Sequence, residues 1–161
     1  MYKRIVSLIF FLITANCFSQ GFDSYDIKSF IDKGARVIVG KPFDTYDIKS
    51  FASKNASLVT VIGDGFDSYD IKSFIDKGAR VIVGKPFDTY DIKSFAAKNA
   101  SLVTVIGDGF DSYDIKSFID KGARVIVGKP FDTYDIKSFA SKNASLVIVI
   151  GIQTNKKYII D

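Results

Sequence analysis

The sequence predicts an α/β fold: a solenoid or partial barrel of six short helix-strand units, with a curved parallel sheet and helices on one face. Three observations predict it. A 44-residue segment beginning at Gly21 returns almost unchanged at Gly65 and at Gly109. Each copy divides into halves of 21 and 23 residues that align with each other, FDSYDIKSFIDKGARVIVGKP against FDTYDIKSFASKNASLVTVIGDG. Within each half, a helical spacing of apolar residues gives way to a run of β-branched ones.

The helix of the first half opens at Asp23, an N-cap residue with Asp26 three positions on, as in a capping box, and Phe22 before it is available as a hydrophobic staple. It runs from about Ser24 to Lys33. Gly34 supplies the left-handed position that ends it, and Asn55 is expected to do the same in the second half. At about 100° per residue, Ile27, Phe30 and Ile31 share one sector while Lys28, Ser29, Asp32 and Lys33 face away, so a single stripe is buried. Strands follow, at Ala35 to Val39 and at Ser57 to Ile62, each closed by a glycine.

Connections of this length require parallel pairing, and right-handed crossovers put every helix on the same face. Helices pack about 8–10 Å apart and strands about 4.8 Å, so the sheet curves with its strands inside. The inner face is expected to carry Arg36 and Ile38 in odd units and Ser57, Val59 and Val61 in even ones, or the opposite set if the register slips by one residue. So apolar a face calls for burial, through closure into a barrel or through dimerisation. In outline the chain resembles leucine-rich-repeat horseshoes, but no L-x-x-L-x-L-x-x-N run is present. Phrases such as DIKSFIDKGARVIVG look like pieces of phosphate-binding TIM barrels, yet six units are too few for eight. The chain is assigned to neither family.

Residues 1–19 read as a secretory signal peptide: Lys3 and Arg4, an apolar run from Ile5 to Ile13, then small and polar residues, with cleavage after Ser19. The rival is a lipid on Cys17, which Asn16 before it disfavours. Residues 20–161 form one repeat domain, with units 21–64, 65–108 and 109–152 and a terminal cap at 153–161. There a last strand is followed by a turn near Asn155 and a short antiparallel strand at Tyr158 to Ile160. The expected location is outside the cytoplasm: secreted, periplasmic or on the cell surface.

With 47% hydrophobic and 25% charged residues the chain is of the folded globular class. It has no His and one Cys, Cys17, which excludes the common zinc sites and the His-dependent nucleophile systems. Loss of Lys3 and Arg4 with the signal peptide lowers the formal charge from +4 to +2, so nothing argues for nucleic acid as a partner. No transmembrane segment remains after signal removal, and no cofactor or metal is expected.

The candidate ligand-binding residues are Tyr25, Tyr46, Tyr69, Tyr90, Tyr113 and Tyr134, which lie on the side of each helix away from its apolar stripe. Regularly spaced rings could stack on sugars or anchor a protein; the plainer reading is that each fills the groove against the next helix. Asp64, Asp67 and Asp70, repeated at Asp108, Asp111 and Asp114, offer carboxylates for calcium, but helix capping already accounts for them. Lys41, Lys85 and Lys129, each followed by proline, read as solvated loop charge. GARVIVGK at Gly34 to Lys41 has the wrong glycine spacing for a phosphate loop. Asn55, Asn99 and Asn143 begin glycosylation sequons that their helix-ending role explains.

The function expected from these features is a secreted repeat scaffold that binds a repetitive ligand, a glycan or a protein, through its repeated surface. The alternative is a structural or self-assembling protein, a homo-oligomer without a ligand site. An enzyme using Asp and Lys groups stands third, since every candidate group recurs in near-equal surroundings, and the chain is expected not to be one.

Overall fold

The structure is a computed structural model that describes residues 21–151. The signal peptide expected at 1–19 and the cap strand at Tyr158 to Ile160 lie outside the described residues. The elements alternate strictly: α1 (Ser24–Asp32), β1 (Val37–Val39), α2 (Thr45–Asn55), β2 (Val59–Ile62), α3 (Ser68–Asp76), β3 (Arg80–Val83), α4 (Thr89–Asn99), β4 (Val103–Ile106), α5 (Ser112–Asp120), β5 (Arg124–Val127), α6 (Thr133–Asn143) and β6 (Val147–Val149).

Each helix begins where its N-cap aspartate satisfies orphan backbone donors. Asp23 accepts from the amides of Tyr25 and Asp26, and the Asp26 carboxylate accepts in return from the Asp23 amide, completing the expected box. Phe22 packs edge-on against Phe30 with centroids 4.9 Å apart, and every later unit repeats this pair, as Phe66 with Phe74 at 5.1 Å. The odd helices end at a glycine with positive φ, +85° at Gly78. The even helices do not end as expected. Asn55 is extended, with φ −160°, and its side-chain oxygen accepts from the Ser57 amide, capping a 3-10 turn over Ala56–Leu58.

That turn corrects the strand register. Val59 and Val61, expected on the inner face, lie under the helices at 0% exposure, and Thr60 and Ile62 occupy the other face beside Arg80 and Ile82. The odd units keep the expected arrangement, with Ile38 away from the helices and Val37 and Val39 buried. In even units one residue is added between helix start and strand, and because side chains alternate with period two this moves the whole strand to the opposite face.

All strands are parallel, in the order β1-β2-β3-β4-β5-β6. The core is one continuous layer between helices and sheet, built from valines of the strands and from Ile71, Phe74 and Ile75 with their equivalents. Pairing advances 22 residues from Val37 to Val59 and 20 from Thr60 to Arg80, two short of the 44-residue repeat. Each repeat thus adds two strands and two residues of stagger. Four repeats would give the eight strands and matching shear of a TIM barrel. The described residues supply three, and they form a barrel-like α/β arc with β1 and β6 at its two edges. Closure, one of the two expected ways of burying the inner face, does not occur among the described residues.

Candidate functional site

Three regions of the fold bring repeated side chains together. The first is the helix N-terminal rim. Here Ser24 Oγ donates to Asp47 Oδ1 at 2.7 Å, Thr45 Oγ1 to Asp70 Oδ1 at 2.9 Å and Ser68 Oγ to Asp91 Oδ1 at 2.7 Å, so these first-turn hydroxyls are tied to the third residue of the next helix. Of the carboxylates considered for calcium, Asp70 is engaged in this way. Asp67 caps α3 by accepting from the Asp70 amide at 2.8 Å, and among the described residues no three ligating side chains are grouped to hold a metal.

The six candidate tyrosines sit one residue inside each helix on this rim. Tyr25, Tyr46, Tyr69, Tyr90, Tyr113 and Tyr134 are 77–80% exposed. The groove-filling reading is therefore corrected: position 25 lies across the helix from Ile27 and Ile31, so the ring points outward from the arc instead of toward the neighbouring helix. The structure sets the rings at equivalent places but gathers them into no pocket.

The second region is the loop edge at the C-terminal ends of the strands. Lys41 Nζ stands 4.4 Å over the Phe66 ring, and Lys85 Nζ 4.2 Å over Phe110. These lysines are packing partners and not merely solvated charge, and the stem of Lys41 also requires Gly65, where an added Cβ would lie 2.9 Å from its Cγ. Sequence reasoning missed these contacts because their partners are one repeat half away and share no local pattern.

The third region is the sheet itself, its helix-free face and its two edges. Among the described residues the exposed large hydrophobic side chains other than tyrosine are Phe22, Ile148 and Val149, at the two ends of the arc. Phe22 is 64% exposed where its equivalents Phe66 and Phe110 are 7% and 6%, and Val149 is 49% exposed where Val61 and Val105 are 0%. The sequence carries no signal for this difference, since these positions are identical between repeats.

Fold and surface together define an α/β protein of open, barrel-like form. No family model matches the chain, and no curated protein does. Solved structures similar to it include a protein named as a phosphonomutase from Burkholderia cenocepacia, 11% identical over 87% of this chain and 79% of that one, with a TM-score of 0.44. A protein named as the copper homeostasis protein CutC, from Streptococcus agalactiae, is 10% identical over 78% of this chain and 77% of that one, with a TM-score of 0.37.

The geometry of the surface corrects the expected function. Rings standing singly on successive helices make no concave, desolvated site, and the expectation of a glycan- or protein-binding repeat surface is withdrawn. Identities of 11% and 10% carry neither neighbour's activity to this chain.

Proposed function

We propose that the protein works as a homo-oligomer, an open α/β arc whose free ends are covered by association with further copies of itself. The observation that carries this reading is the placement of exposed apolar surface. Phe22 at one end and Ile148 and Val149 at the other are open to solvent, while their equivalents within the arc are covered. Exposed apolar side chains beside strand edges that are unpaired among the described residues mark association sites.

The reading assigns no reaction to the single chain. Its support is that, among the described residues, no polar or charged side chain is buried, so the isolated arc holds no desolvated cluster of functional groups. It applies to the exported chain after removal of residues 1–19. Light scattering coupled to size exclusion tests it: the purified chain is expected at a mass above that of one copy at micromolar concentration. A strict monomer at about 1 mM, corresponding to an affinity weaker than about −4 kcal/mol, would refute it.

A further inference from the structure

The two open ends are the two halves of a junction that the chain already makes twice within itself. β2 pairs with β3, and β4 with β5, in one register: Thr60 with Arg80, Val61 with Val81, Ile62 with Ile82, and the same again 44 residues on. β6 is the third copy of the even strand and, among the described residues, lacks only its odd neighbour. β1 is the first copy of the odd strand and, among the described residues, lacks only its even one. Resting on the homo-oligomer reading, we propose that β6 of one molecule docks on β1 of a second in this same register, so that assembly proceeds head to tail by sheet extension.

The register assigns the contacts. Ile148 lies opposite Arg36 of the second copy, Val149 opposite its Val37 and Ile150 opposite its Ile38, as in the internal pairs. Gly63 and Gly107 donate their amides across the junction to Ile82 and Ile126 carbonyls at 2.8 Å, and Gly151 is the equivalent donor. The lysine–phenylalanine contact occurs at both internal junctions, and the first of them adds a threonine and an arginine bond. Lys129 takes the place of Lys41 and Lys85 over a phenylalanine ring, which is Phe22 of the second copy. Thr133 corresponds to Thr45, whose hydroxyl donates to Asp70, and its acceptor becomes Asp26 of the second copy. Arg36 of the second copy corresponds to Arg80, which donates to the Ser57 carbonyl at 2.8 Å, and meets Ser145.

Burial follows the same logic. Ile136 and Val147 are only partly buried although Ile48, Ile92, Val59 and Val103 are 0% exposed, and Ala35 is exposed although Ala79 and Ala123 are 0%. A second copy set in the internal register covers both groups at once. It also brings no new chemistry, because every contact in it already forms inside one chain. The contact is heterologous, so copies either close into a ring or extend as an open array. Since each repeat adds strands and stagger equally, the strand tilt is the same in both.

The test uses the exported chain, residues 20–161, which lacks Cys17, carrying Arg36→Cys and Ile148→Cys, residues set opposite each other across the proposed junction. Mild oxidation is expected to yield disulfide-linked dimers and higher multimers. Arg36→Cys paired with Val149→Cys, one residue out of register, is expected to give at least tenfold less. Separately, Val149→Lys is expected to weaken association at least tenfold with the circular dichroism spectrum unchanged. An oligomer that is weakened by Val149→Lys yet gives no cross-link would overturn the junction while leaving the homo-oligomer reading intact, with the ends covered in another register or orientation; one that also resists Val149→Lys would overturn both. A cross-link formed only within one chain would show that β6 meets its own β1 and overturn the inference. A strict monomer would overturn both.

Discussion

Phe30 and Phe74 occupy the same place in identical helices, SYDIKSFID, and a local account gives them equal worth. The structure separates them. Phe74 is 0% exposed, held edge-on by a buried Phe66 and roofed on both sides by neighbouring units. Phe30 is only partly buried, and its partner Phe22 is largely in water. Truncating a fully buried phenylalanine costs about 3–5 kcal/mol, made up of lost transfer energy and the cavity left behind. At Phe30 the side chain gives up less buried area and the site opens to solvent in place of a cavity, so about half that cost is expected. Urea denaturation of Phe30→Ala and Phe74→Ala, followed by circular dichroism at sub-micromolar chain, measures the difference. With a slope of about 2 kcal/mol per molar urea, the midpoint should fall by about 2 M for Phe74→Ala and about 1 M for Phe30→Ala. Equal losses within about 0.5 kcal/mol would refute the argument, because they would mean that the first unit is as well covered as the middle one. A gap that narrows as concentration rises is the expected mark of a second copy covering Phe30.

Gly65→Ala forces a side chain into φ +77° and sets its Cβ 2.9 Å from Lys41 Cγ; a loss of about 1–2 kcal/mol in the same assay is expected, against a small change for Gly21→Ala, where nothing lies within 4 Å. Asp76→Ala removes the ion pair with Lys98, but at 36% and 58% side-chain exposure it is expected to cost under about 1 kcal/mol, and less still in 1 M salt. Asp67→Ala deletes the α3 cap at the Asp70 amide and is expected to cost about 1 kcal/mol, most of it recovered by Asp67→Ser. The proposed export predicts that amino-terminal sequencing of chain recovered from outside an expressing cell begins at Gln20.

Much of the fold was legible because the forces that specify it are local and repeated. Capping aspartates, the stripe of Ile27, Phe30 and Ile31, and Gly34 mark each odd helix, and the length of each half compels parallel pairing with helices on one side. The even units were misread at their turns. Asn55 and Gly34 align in sequence, but the carboxamide of Asn55 takes the Ser57 amide and supports a 3-10 turn where glycine turns left-handed. That one residue reversed the expected faces of Val59 and Thr60. The candidate site was legible only in part. The helical projection placed the tyrosines away from the core, yet the choice between groove and solvent depends on how neighbouring helices diverge, which no single unit records.

The sequence by itself therefore determined the unit, its caps and its parallel order, since each follows from residues within about twenty positions of one another. Only the tertiary structure decided that three repeats stop short of closure, that Lys41 meets Phe66, and that Phe22 and Val149 are exposed while their identical counterparts are buried. The physical reason is that burial is a property of neighbours. Identical residues acquire different energies when a unit inside the arc has neighbours on both sides and a unit at either end has only one.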